Sequence, residues 1–144
     1  MKIIFLDIDG VLNCKATCAQ SSKNYKFDAD KVVFLNDIIH QTQANIVVSS
    51  SWRCGMTIKN LQDMFGKNGV NGIVIGSTPS STHGRGDEIQ QWIKNHYGVE
   101  SFIIIDDDDF DMGDLLNRVV LTDMETGLQA KHVEQAITLF GMGK

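Results

Sequence analysis

The chain has 144 residues, 42% of them hydrophobic and 22% charged, with a formal net charge of −5. That length and composition fit one soluble-type domain with a real core. The acidic balance and lack of a basic face exclude a typical duplex-DNA binder, no apolar run approaches a membrane span, and Cys14, Cys18 and Cys54 lack the parity and spacing of a disulfide framework.

The first predicted element is the apolar run Ile3-Ile4-Phe5-Leu6, which suits a short strand buried on both faces. It breaks into Asp7-Ile8-Asp9-Gly10-Val11. Asp7 is therefore expected at the carboxyl end of the strand, the edge where open α/β sheets bind ligands. The run reaches an aspartate too soon for a signal peptide, so a cytoplasmic location is expected. Residues 13–26 are polar and aperiodic and read as a loop. Lys15, Lys23 and Lys26 form a local basic group there with Tyr25.

Asp28 is a predicted N-cap. The helix after it carries Val32, Val33, Leu35, Ile38 and Ile39 and ends near Thr42. Asn45-Ile46-Val47-Val48 is a second buried strand, running into Ser49-Ser50-Ser51-Trp52-Arg53. An N-cap accounts for one serine; three hydroxyls put polar chemistry at the same sheet edge as Asp7. A short amphipathic helix over 57–65 is broken by Gly66, Gly69 and Gly72, and Ile73-Val74-Ile75 is the third strand.

A loop with Pro79 leads to a helix beginning at Arg85. Ile89, Trp92, Ile93 and Tyr97 form its apolar face, with Gly98 as the stop. Phe102-Ile103-Ile104-Ile105 then repeats the opening pattern and runs into Asp106-Asp107-Asp108-Asp109-Phe110-Asp111. Val119-Val120-Leu121 is a fifth strand, and residues 130–140 a closing helix with Val133, Ile137 and Phe140 aligned. Alternating strands and helices predict an α/β fold: a three-layer α/β/α, Rossmann-like parallel sheet of about five strands. No linker or long insertion interrupts it, so residues 1–144 are expected to form one domain without a cap. His40, His83, His96 and His132 are scattered and expected at the surface. Cys14 and Cys18 lack a second pair at zinc-site spacing.

Either acidic motif alone is commonplace: Asp-x-Asp-Gly is often a turn, and acidic runs are usually solvated. Here both follow apolar strands that would open on one sheet edge. Two carboxylates at ~4 Å and an effective dielectric of ~20 repel by roughly 4 kcal/mol. A hard divalent cation with oxygen ligands answers that repulsion, and Mg²⁺ is the usual one.

In order, these motifs resemble the haloacid dehalogenase (HAD) superfamily, mostly phosphohydrolases. The first is Asp7-x-Asp9-Gly10-Val11. The second is a hydroxyl after a strand, Ser49 or Ser50. The third is a basic residue at a helix start, Arg85, where many members carry Lys. The fourth is a carboxylate pair after a strand, Asp106 and Asp107; Asp107 and Asp111 also fit the superfamily's Asp-x-x-x-Asp version. Ser50-Ser51-Trp52-Arg53, Arg85-Gly86-Asp87-Glu88-Ile89 and the stretch from Thr122-Asp123 to Gly127-Leu128 are similar to a small capless branch. That branch includes phosphatase-like domains of bacterial and phage RNA-repair proteins.

The resemblance implies Asp7 as nucleophile and Asp9 as general acid and base. It implies phosphate binding by Ser49 or Ser50 together with Arg85, and Mg²⁺ binding by Asp7, the Asp9 carbonyl, Asp106 and Asp107 or Asp111. Without a cap, residues 13–26 and the pair Trp52 and Arg53 are left to touch the rest of the substrate. Trp52 could stack on a base or pack in the core; Arg53 could contact substrate, a helix terminus or an acidic neighbour. The expected activity is Mg²⁺-dependent hydrolysis of phosphate monoesters on a nucleotide, a nucleic-acid end or a small metabolite. The contrasting expectation, a non-catalytic phosphate- or partner-binding module, would call for degraded motifs.

Overall fold

The computed structural model describes residues 1–142, so the last two positions of the predicted domain lie outside the described residues. Five strands form one parallel sheet: β1 (Lys2–Leu6), β2 (Asn45–Val48), β3 (Val74–Ser77), β4 (Ser101–Asp106) and β5 (Val119–Leu121), in the order β3-β2-β1-β4-β5. The helices are α1 (Cys18–Asn24), α2 (Ala29–Thr42), α3 (Ile58–Lys67), α4 (Arg85–Lys94) and α5 (Ala130–Met142). Single 3-10 turns cover Ser51–Arg53 and Gly113–Arg118. Among the described residues, no helix is long and apolar enough to cross a membrane.

The unbroken apolar character of β1 follows from its central place. Ile4 and Leu6 enter the larger core, with Leu35 and Ile38 of α2, Leu61 and Phe65 of α3, and Val133 and Phe140 of α5. Ile3 and Phe5 enter the smaller core on the opposite face, with Ile89 and Trp92 of α4 and Met112. A strand covered on both faces shows no polar alternation. Phe5 packs edge-on against Trp92, with ring centroids 5.6 Å apart.

The register positions the site. Leu6 pairs with Val48 on one side and with Ile105 on the other. The next residues, Ser49, Asp7 and Asp106, therefore emerge in one row. The Ser49 N–H donates to the Leu6 carbonyl at 2.8 Å, and the Asp7 N–H to the Ile105 carbonyl at 3.0 Å. No inserted domain covers that row: α1 and α2 separate β1 from β2, and one 3-10 turn and α3 separate β2 from β3.

Several local expectations are corrected. The supposed loop of residues 13–26 contains α1, which buries only Ser21 and so shows no apolar period. Lys15 pairs with Glu125 at 3.5 Å, which offsets its part of the local positive charge. Val33 points outward from α2, and Ile73 is exposed ahead of β3. Helix α3 runs through Gly66 to Lys67. Helix α4 stops at Lys94, which leaves Tyr97 98% exposed beyond it. His132 is buried, its Nδ1 accepting the Gln129 N–H at 2.9 Å, and burial pushes its pKa down.

Gly10 turns the chain away from β1 with φ +80°, and a side chain there would collide with the Asp107 carboxylate. Both the backbone angle and the space require glycine. Gly10→Ala is expected to cost on the order of 1–3 kcal/mol. Thermal unfolding should show a melting temperature lower by several degrees.

Candidate active site

The row at the strand tips forms a compact acidic centre. Asp106 is fully buried, Asp7 is 6% exposed and Asp107 half-buried. Each offers a carboxylate oxygen, and the three oxygens lie within 4.8 Å of one another. Arg85, the first residue of α4, reaches in from the helix end. Its Nη1 is 2.6 Å from Asp106 Oδ2 and 3.3 Å from Asp7 Oδ2. An open cavity of ≈ 400 Å³ lies over these groups, with Asp9 and Ser51 also on its wall.

Burial, and then the charge of Asp106, pushes the Asp7 carboxyl up to about 8 against the pull of Arg85. Burial likewise raises Asp106, again opposed by Arg85. Burial works against the charge on Arg85 too, but Asp106 and Asp7 hold it protonated. Three converging carboxylates share one guanidinium, so the centre is short of positive charge. Clustered hard oxygen donors with that deficit fit a divalent cation such as Mg²⁺. Asp7, Asp106 and Asp107 are the side chains that could hold it. Asp111 lines the cavity but stands outside this close set; its carbonyl accepts the Gly86 N–H at 3.2 Å and so braces the start of α4.

Asp9 stands apart from the cluster and is held at both oxygens. Oδ1 accepts from Asn13 Nδ2 at 2.9 Å, and Oδ2 from Trp52 Nε1 at 3.1 Å. Asn13 is fully buried, and its Oδ1 accepts the Gly10 N–H at 2.9 Å. One amide thus fixes both the glycine turn and the carboxylate before it. Thr122 Oγ1 donates to the Gly10 carbonyl at 2.6 Å, tying the exit of β5 to the same turn. Nothing in the local string marked Asn13, because its partners become neighbours only after folding.

The serine run divides into three roles. Ser49 follows Val48 into the row beside Asp7, and its buried Oγ has no hydrogen-bond partner among the described residues. Ser50 caps the 3-10 turn, its Oγ accepting the Trp52 N–H at 3.2 Å. Ser51 is exposed on the cavity wall, the third of the hydroxyls expected at this sheet edge. Arg53 holds the turn from below. Its Nε donates to the Thr78 carbonyl at 2.8 Å, Nη1 to the Ser50 carbonyl at 2.8 Å, and Nη2 lies 3.2 Å from Glu88 Oε2. Of the expectations for Arg53, the geometry matches the acidic neighbour.

A model of the HAD domain in Swiss Army Knife RNA repair proteins matches residues 3–133. The chain belongs to this family. No curated protein matches it. The five-stranded parallel sheet is the α/β/α, Rossmann-like architecture of a HAD domain. Within this HAD domain, Asp7, Ser49 and Asp106 stand in the row of strand tips, and Arg85 opens α4.

Two predictions test the electrostatics of the site. The folded-state pKa of Asp7 lies above its unfolded value of 3.8. Folding therefore retains a proton that the unfolded chain releases, and this stabilisation fades as pH rises through about 8. In metal-free buffer the melting temperature should fall between pH 5 and pH 8.5 more steeply for the wild type than for Asp7→Asn. Millimolar Mg²⁺ should flatten the wild-type slope. Trp52→Phe keeps the ring but deletes the donor to Asp9. Losing one orienting hydrogen bond of about 1 kcal/mol predicts roughly fivefold lower kcat, with little change in melting temperature.

Proposed function

We propose that the chain is a Mg²⁺-dependent phosphatase that hydrolyses phosphate monoesters through an aspartyl-phosphate on Asp7. Nucleotides and polynucleotide ends are the proposed substrates. The carrying observation is that Asp7 and Asp106 meet one guanidinium, Arg85, on the wall of an open cavity.

The chemistry follows from the groups present. A carboxylate oxygen of Asp7 attacks phosphorus while Asp9 gives a proton to the departing ester oxygen. Asp9 then takes a proton from the water that attacks the aspartyl-phosphate, which releases phosphate and restores Asp7. The bonds from Asn13 and Trp52 leave each Asp9 oxygen a second lone pair, so the carboxylate is aimed without being consumed. Arg85 neutralises charge on the phosphoryl oxygens, and Ser49, with its unpartnered hydroxyl, donates to one of them. Asp7, the Asp9 carbonyl, Asp106 and Asp107 would hold Mg²⁺, which when bound supplies positive charge to the phosphoryl group. Asp107 is preferred to Asp111 because only Asp107 joins the close carboxylate set.

The open site supports a large substrate. Among the described residues no inserted domain narrows it, and the family is that of HAD domains in RNA repair proteins.

Phosphate release with Mg²⁺ from a 3′-phosphorylated oligonucleotide, a nucleotide and a sugar phosphate tests this reading. Asp7→Asn should lose at least about 10³-fold in kcat, and Arg85→Ala about 10²–10³-fold. Wild-type protein that is folded yet inactive on the whole panel would point instead to a phosphate-binding module.

A further inference from the structure

Beside the catalytic cavity lie two more, and shared walls join all three. The catalytic cavity shares Asp9 and Ser51 with a neighbour of ≈ 320 Å³ that is also lined by Tyr25 and Trp52. That neighbour shares Tyr25, Cys54 and Met56 with a third, of ≈ 730 Å³, bounded by Lys26 and Lys67. The result is a groove that starts at the catalytic carboxylates, crosses two aromatic rings and ends between two lysines. We propose that this groove is the track of a single-stranded nucleic acid whose terminal phosphate lies at Asp7. The assignment of that end point rests on the phosphatase reading; the track itself rests on the groove.

Tyr25 is the central observation. It is 55% exposed and has φ 54°, a left-handed backbone that bulky residues rarely adopt. Glycine is the residue that ends helices cheaply in this conformation. The chain keeps an exposed aromatic ring here and anchors it: the Tyr25 N–H donates to the Ser21 carbonyl, and its carbonyl accepts Asn68 Nδ2 at 2.9 Å. The ring meets Trp52 nearly at right angles, with centroids 6.1 Å apart. Trp52 in turn donates to Asp9. A fixed aromatic surface thus stands one side chain away from the proposed acid. Bases of any sequence can stack on such a surface.

The charge pattern fits a strand of phosphates. Lys26 and Lys67 are exposed, and among the described residues no carboxylate lies within salt-bridge distance of either. The one acidic side chain on that wall, Asp63, is matched by Lys59 at 3.2 Å. In a chain of net charge −5, this free positive end is local. It suits two backbone phosphates of a single strand rather than the broad face that a duplex needs.

The test uses the full chain carrying Asp7→Asn, which holds substrate without turnover, and a fluorescent 3′-phosphorylated oligonucleotide read by anisotropy. Adding Tyr25→Gly removes the stacking ring and relieves the left-handed backbone, so the melting temperature should not fall while binding weakens at least about fivefold. Adding Lys26→Ala with Lys67→Ala should flatten the log–log salt dependence of binding by about 1.4, the value for two phosphates on a single strand. With Asp7 restored, Tyr25→Gly should lower the ratio of kcat/KM on the oligonucleotide to that on p-nitrophenyl phosphate by at least about fivefold. Unchanged affinity and salt slope in these variants would overturn the track even if Asp7-dependent phosphate release is found. So would tighter binding of a phosphopeptide than of the oligonucleotide. Strand binding lost in the variants, with no phosphate release from any substrate, would uphold the track and overturn the phosphatase reading alone.

Discussion

Asp7 and Asp106 leave adjacent parallel strands one residue beyond the pairing of Leu6 with Ile105, and that register brings two buried carboxylates to one guanidinium. Burial makes each carboxylate costly to ionise, and their mutual repulsion adds to the cost. Arg85 relieves only part of this, since Asp107 brings a third negative group to the same point. The surrounding structure can be understood as holding this unfavourable arrangement in place. The large core behind β1 fixes the strands, Gly10 lets the chain turn without striking Asp107, and Gly86 lets α4 approach the backbone of Asp111 closely enough to deliver Arg85.

A second layer of bonds holds the neighbouring groups at their angles. Arg53 and Glu88 form a buried pair, with side chains 9% and 11% exposed, that also engages the carbonyls of Ser50 and Thr78 and the Ser81 N–H. A buried pair of this kind adds little net stability, but removing one partner strands the other charge. Its contribution is shape: it sets the serine turn so that Ser49 faces the row, Ser51 the cavity and Trp52 the Asp9 carboxylate.

The sheet was legible because its evidence is local. Residues 3–6, 46–48 and 103–105 are covered on both faces, so burial is written as uninterrupted apolar runs, each ended by polar residues. The carboxylates and Arg85 were legible for the same reason, since each directly follows a strand or opens a helix. Elements that depend on distant partners were not. Helix α1 buries one serine and leaves no period to read. Asn13 is defined by Asp9, Gly10 and Ser21 together, and Arg53 by a glutamate 35 positions away. Tyr97 continued the apolar spacing of α4, yet the helix ends before it, because Asn95 and His96 turn back onto the last carbonyls of the helix.

The central position of β1 also bears on biosynthesis. It precedes the other four strands of the sheet, yet one of its two neighbours, β4, begins about a hundred positions later in the chain. Long-range parallel pairing of this kind is slow and leaves sticky surface uncovered meanwhile. During translation the Ile3–Leu6 segment must therefore wait, half-sheltered by β2, until β4 arrives to close its other side. A ribosome stalled before that point would present a nascent chain with an open sheet edge, which is the form that chaperones and proteases recognise.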